Sequence, residues 1–174
     1  IQWSQKFALI SGGTTKLIKI FDLDKFEEIG NINTNHHSNV NCIKKINHPK
    51  YGESLLTAGL DQTIKIWTKD NENNYIIKQV IKLNKEIKRL NKYINDNHIG
   101  FLVTSEENNF RLYLKKVNEE ENKETNEDIF KIEQVLSDHD NEVNEAIQIK
   151  SNNDIISGSK DMTIIMQSNN FSRK

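Results

Sequence analysis

One eleven-residue pattern is written three times along this chain, and an internal repeat constrains a fold more tightly than composition does. Residues Ser11 to Phe21 align without gaps on Thr57 to Trp67, and again on Ser157 to Gln167. A weaker copy, one residue shorter, runs from Thr104 through Asn108 to Tyr113. A short apolar stretch leads into each copy: Phe7–Ile10, Ser54–Thr57, Phe101–Thr104 and Ile155–Ser157. A tight polar turn follows, then an alternating run such as Thr63–Trp67, which predicts a β-hairpin with side chains facing in and out by turns.

A second element recurs upstream of the hairpin. His36 is followed by Val40 and Ile43, and His139 by Val143 and Ala146, at the same spacings. The equivalent stretch of the weak copy, Leu83 to Leu90, has no histidine. Another strand-like stretch precedes each of these segments, at Phe26–Ile32, Tyr75–Leu83 and Ile129–Leu136. Four strands per unit of roughly 45 residues is the pattern of a propeller blade.

Together these motifs resemble WD40 repeats over nearly the whole chain, best at residues 34–68. The resemblance implies an all-β, WD40-like β-propeller with about four blades' worth of four-stranded antiparallel sheets. Closed propellers of the family often have seven blades, so the chain is expected to be part of a larger propeller, completed by further blades in the same or another chain. The blades are expected at 1–33 (incomplete), 34–83 (the best match), 84–136 (degenerate, with an acidic loop at 118–128) and 137–174 (incomplete). In the family a His, a Ser or Thr, an Asp and a Trp hydrogen-bond inside each blade as a structural tetrad. Here that implies His36, Thr57, Asp61 and Trp67 in one blade. In another it implies His139, Ser157 and Asp161, with Gln167 where Trp belongs. The first copy keeps Ser11 and Phe21 but has Thr15 in the Asp place, and the weak copy keeps Thr104, Asn108 and Tyr113.

Charge and composition exclude several function classes. Lys+Arg 24 against Asp+Glu 25 leaves a formal net charge of −1, which gives no bulk attraction for nucleic acid. The longest basic stretch, Lys78–Lys92, is interrupted by Glu86 and apolar residues, and aromatic content is 7%. A mean hydropathy of −0.71 and the lack of a long apolar run argue against a transmembrane helix, and no secretory leader is visible. A single cysteine, Cys42, excludes an internal disulfide and suits a reducing compartment. Cytoplasmic localisation is expected, with a cytoskeletal or ciliary setting as the alternative. The sequon at Asn170 is discounted accordingly.

Chemistry-bearing residues fit repeat structure better than catalysis. The histidines at 36, 37, 48, 98 and 139 show no ligand spacing typical of a metal site, and adjacent His36 and His37 point to opposite faces of an extended chain. Asp61 and Asp161 occupy the same place in different repeats, where an aspartate holds a tight turn, so they do not form an acid/base pair. Gly12-Gly13 lacks the rest of a dinucleotide fingerprint, and Cys42 reads as a small core residue. No catalytic residue, metal or cofactor is expected. Val80, Leu83, Ile87, Leu90 and Ile94 fit an amphipathic helix by spacing, yet the repeat frame splits them into two strands around Asn84–Glu86.

These observations point to a non-enzymatic scaffold or adaptor that binds proteins or peptides, with neither nucleic-acid binding nor membrane insertion. The alternatives are a regulatory propeller of a larger enzyme, such as a kinase or ubiquitin-ligase component, and a structural subunit of a cytoskeletal, ciliary or trafficking assembly. Candidate partner-binding positions lie in the loops at one end of the repeats: Asn35, His37, Asn39, Leu60, Gln62, Asp140, Glu142 and Lys160. The acidic loop 118–128 is a candidate for attracting a basic partner, though a solvated insertion is the simpler reading.

Overall fold

In the computed structural model the described residues are 6–11, 16–48, 52–116 and 129–168. The acidic loop 118–128, Gly12-Gly13, Thr15 and the sequon at Asn170 lie outside them. The described residues form fourteen strands and no helix: β1 (Phe7–Ser11), β2 (Leu17–Asp22), β3 (Glu27–Asn33), β4 (Val40–His48), β5 (Gly52–Gly59), β6 (Thr63–Lys69), β7 (Tyr75–Lys82), β8 (Ile87–Ile94), β9 (His98–Ser105), β10 (Phe110–Lys116), β11 (Lys131–Leu136), β12 (Val143–Gln148), β13 (Ile155–Ser159) and β14 (Ile164–Gln167). Among the described residues no helix is long and apolar enough to cross a membrane.

The strands form four antiparallel meanders, β1-β2-β3, β4 to β7, β8 to β11, and β12-β13-β14. They fall into two compact units divided between Ile87 and Lys88. In the first unit β1 packs beside β4. Its core gathers Leu9 and Ile18 of one sheet with Val40, Ile43, Leu55 and Trp67 of the next. In the second unit β12 packs beside β9. There Tyr93, Leu102, Phe110, Leu112 and Leu114 meet Val143, Ala146 and Ile155.

The segment 80–94 is two strands, β7 and β8, joined through residues 83–86. Leu83, Ile87, Leu90 and Tyr93 are all buried. Their three- and four-residue spacing is therefore not that of one helix but of two strands, with the turn at 83–86 between them. Within β8 the burial pattern still repeats every three residues instead of every two.

The hairpin strands depart from strict alternation. In β6 every residue from Ile64 to Thr68 is buried, Lys65 included. A strand sandwiched on both faces reads as a near-continuous core segment, and Lys65 is accommodated because its ammonium caps two carbonyl oxygens. Cys42 is buried in β4.

Bulges recur at equivalent places. β4 and β12 each carry one extra residue against the next strand, Asn41 and Asn144. The outer strands β3, β7 and β11 each carry one opposite the same place of the hairpin, leaving Ile29, Lys78 and Glu133 unmatched. A bulge adds local twist, and its repetition gives successive sheets the same curvature.

Gly100 in β9 allows the closest approach of two strands. A Cβ there would lie 1.9 Å from the Tyr113 carbonyl oxygen and 2.7 Å from Leu114 Cδ2. Since the obstacle is backbone, Gly100→Ala is expected to destabilise the fold by about 1–3 kcal/mol or more, checked by urea unfolding against wild type.

Candidate functional site

The most connected polar cluster in the first unit joins the loop after β3 to the β5–β6 hairpin. Trp67 Nε1–H donates to Thr57 Oγ1 at 2.9 Å. Thr57 Oγ1 lies 2.8 Å from His36 Nε2, and His36 Nδ1 lies 3.0 Å from both carboxylate oxygens of Asp61. These contacts fix the tautomer. The Asp61 carboxylate can only accept, so Nδ1 of the ring carries the proton and donates to it, and Nε2 accepts from the Thr57 hydroxyl, whose oxygen accepts from Trp67.

Asp61 collects further donors: the backbone N–H of His37 at 2.7 Å, and Thr63 through its N–H at 3.1 Å and its hydroxyl at 2.8 Å. Gln62, between Asp61 and Thr63, turns the chain with φ of 65°. Gly59 leaves space for this arrangement, because a Cβ there would stand 2.8 Å from the Asn39 carbonyl oxygen and 3.1 Å from His36 Nδ1.

The second unit repeats the motif with one member missing. His139 Nδ1 is 2.8 Å from Asp161 Oδ2, and His139 Nε2 is 2.9 Å from Ser157 Oγ. Thr163 donates its hydroxyl to Asp161 Oδ1 at 2.6 Å, and Asp140 N–H reaches Asp161 Oδ2 at 3.1 Å. Gln167, in the Trp place, instead donates to Asp138. Thr63 and Thr163 were not singled out from sequence, although the shared Asp-x-Thr spacing carried the signal. In the β8–β11 sheet, which has no histidine at the place of His36, Phe101 stacks on Tyr113 at 5.2 Å and meets Phe130 edge-on, while Ser105 donates to the Glu107 carboxylate, which pairs with Arg111. There Thr104 donates to the Asn144 carbonyl, and Asn108 is exposed.

Electrostatics follow from burial. Desolvation lowers the His36 pKa, outweighing the neighbouring carboxylate, so the ring is neutral at neutral pH. The contact with Asp61 is therefore a hydrogen bond to a neutral imidazole. For Asp61, burial opposes ionisation, but the donors from Thr63, His37 and His36 together hold its pKa below the usual value. Asp161 is held well below the carboxylate range, first by the Thr163 hydroxyl. Burial also lowers Lys65, whose Nζ donates to the carbonyls of Thr34 at 3.1 Å and Asn35 at 2.5 Å.

The candidate loop residues are tied to this framework. Leu60 N–H donates to the Asn39 carbonyl at 2.9 Å, and Lys160 N–H to that of Glu142 at 2.9 Å, a matching pair in the two units. The Gln62 carbonyl accepts from Leu83 N–H at 2.8 Å. Glu142 holds Lys160 at 2.5 Å and also takes a hydrogen bond from Lys88, and these ammonium groups lower its pKa. The side chains of Asn35, His37 and Asp140 are exposed. Among the described residues no group of three or more His, Cys, Asp or Glu side chains is placed to hold a metal ion.

A family model described as "WD domain, G-beta repeat" matches residues 29–68, the segment that contains the complete network. This stretch is a WD40 repeat. The chain also aligns with a chain in the crystal structure of the mitotic checkpoint complex, at a TM-score of 0.64 and 14% identity. That alignment covers 94% of this chain and 46% of the other, so this chain spans about half the length of the protein it matches. The likeness shows the fold, a partial WD40-like propeller whose four sheets are its blades. No curated protein matches the chain in sequence.

Two outcomes are expected. Thr57→Val strands both Trp67 Nε1–H and His36 Nε2, at about 1–3 kcal/mol for each buried group left unsatisfied. Trp67→Leu removes the ring and its donor together, and adding Thr57→Val to it is expected to cost less than Thr57→Val alone, as a double-mutant cycle in urea measures. Unfolded His36 takes up a proton near pH 6.5, whereas folded His36 does so only at lower pH. Its contribution to stability is therefore lost as pH falls from about 7 through 6.5 toward the folded value. Asp61 adds a further loss below 3.8. Thermal melts between pH 8 and 5 check the first step, which should shrink in His36→Gln.

Proposed function

We propose that the chain is a non-enzymatic interaction platform that binds proteins or peptides through the loops at the network end of its blades. One observation carries this reading: the carboxylates of Asp61 and Asp161 are engaged in holding loop backbone. Asp61 receives the N–H of His37, and Asp161 that of Asp140. A carboxylate with a lowered pKa and several donors is a poor proton acceptor near neutral pH. It is well suited to fixing a loop whose side chains face outward, and fixed loops lose little entropy on binding. The same reading has the protein working in the cytoplasm, which a chain with one cysteine suits.

A specific observation also favours further blades as neighbours. Ile64 and Ile66 of β6 are buried, whereas their counterparts Ile164 and Met166 of β14 are largely exposed, as is Met162. An apolar strand face of this kind is suited to another blade.

Affinity purification of the full-length protein, compared with a His37→Glu/Lys160→Glu variant by quantitative mass spectrometry, tests the platform reading. A reproducible set of partners is expected to fall at least tenfold while the thermal midpoint holds. Unchanged recovery, or turnover that disappears with Asp61→Asn in a folded protein, would overturn the reading.

A further inference from the structure

We propose that the tip of the β2–β3 hairpin, Phe26 together with Ile29, is a docking point for a protein segment with an apolar centre flanked by lysine or arginine. This deepens the interaction-platform reading and rests on it, but it uses a hairpin turn instead of the loops held by the network.

Phe26 is 87% exposed and adopts φ of 57°. Single exposed apolar residues are ordinary on protein surfaces, but a bulky aromatic in the left-handed region is a backbone outlier. The corresponding turn of the next blade, between β6 and β7, puts Asn73 in that region with φ of 67°. Asparagine visits this conformation at little cost. Counted from the bulge, Phe26 stands three residues before Ile29, as Tyr75 and Phe130 stand three before Lys78 and Glu133; Tyr75 packs on the core and Phe130 is buried, whereas the Phe26 ring faces solvent in a strained conformation. Strain retained against a simple alternative points to use.

Ile29 is the second, independent observation. It is the unmatched residue of the β3 bulge. The same bulge position is held by Lys78 in β7 and Glu133 in β11, both exposed and charged. In β3 it is an isoleucine, 48% exposed. Two exposed apolar residues three apart thus occupy the end of one hairpin, one where other blades pack a ring inward and one where they carry a charge.

The turn is held in shape as well. Asp22 Oδ1 accepts the N–H groups of Asp24 at 2.9 Å and Lys25 at 3.1 Å, so the ring sits on an ordered support, as a binding anchor requires. Charge then selects the partner. Residues 22–28 carry Asp22, Asp24, Glu27 and Glu28 against Lys25. Lys25 lies 3.6 Å from Glu27, and Lys19 is 2.7 Å from Glu28. The remaining negative balance repels anionic lipid and nucleic acid and favours basic residues flanking the apolar contact.

The test uses a phage-displayed peptide library panned on the purified protein, with Phe26→Asn/Ile29→Lys as the comparison, since asparagine tolerates the left-handed turn and lysine holds the bulge of the next blade. Peptides with an apolar centre flanked by Lys or Arg are expected to be enriched. Synthetic copies, measured by fluorescence anisotropy, should bind the variant at least tenfold more weakly, and salt should weaken binding to wild type. The variant's melting midpoint should stay level or rise, because the strain is gone. A lowered midpoint, acidic peptides, affinity indifferent to the variant, or Phe26-dependent binding to anionic vesicles would each overturn the proposal. Peptides that lose affinity only for His37→Glu/Lys160→Glu would sink this proposal and leave the platform reading standing. No enriched peptide at all would count against both.

Discussion

The hydroxyl of Thr57 is the point on which the first unit's organisation turns. It accepts from Trp67 on β6 and donates to His36 in the loop after β3. Through His36 it is connected to Asp61 and the β5–β6 turn. One buried hydroxyl, using both its acceptor and its donor capacity, links a loop, two strands and a turn. Each of these groups would carry a desolvation cost alone, and each is stable because the next one pairs with it. Direction matters too: the proton order runs from Trp67 to Asp61, so the chain ends on the one group that can accept from several sides.

The blades show how such a network can be replaced. Where His139 and Ser157 retain it without a tryptophan, Thr163 and the Asp140 backbone still supply donors to the carboxylate. Where histidine is missing, Phe101, Tyr113 and Phe130 close the space with ring contacts. A polar network fixes direction and register, whereas an aromatic cluster fills volume.

Much of the fold was legible because the repeat supplied its own controls. Period-2 stretches at equivalent spacings identify strands even where one copy, Val80–Ile94, fits a helical spacing by itself. The place of Trp67, Phe21 and Tyr113 at the end of each hairpin followed from alignment of the copies. Lys65 was not legible in this way. Alternation puts it outside, yet the strand is covered on both faces and nearby carbonyls take its charge, a tertiary circumstance with no local signature. The bulges were hidden for a similar reason, since an extra residue shows only when its partner strand is known. Thr63 and Thr163 were visible in the alignment, but their role depends on the left-handed residue before each, Gln62 and Met162.

The outer-strand bulges also set a rule for how the chain tolerates change in length. In β7, Tyr75 and Ile77 pack against the core on one side of the unmatched Lys78, and Gln79 is buried on the other side. Exchanging Lys78 for another polar residue leaves both stretches in phase. Removing it leaves Ile77 opposite Trp67 and Gln79 opposite Ile66, the pairing that already holds, so no side chain changes face and only the local twist is lost. The bulge is thus a spacer that bends the strand without deciding which face each side chain takes, and the blade tolerates a lost residue there better than in the matched stretches.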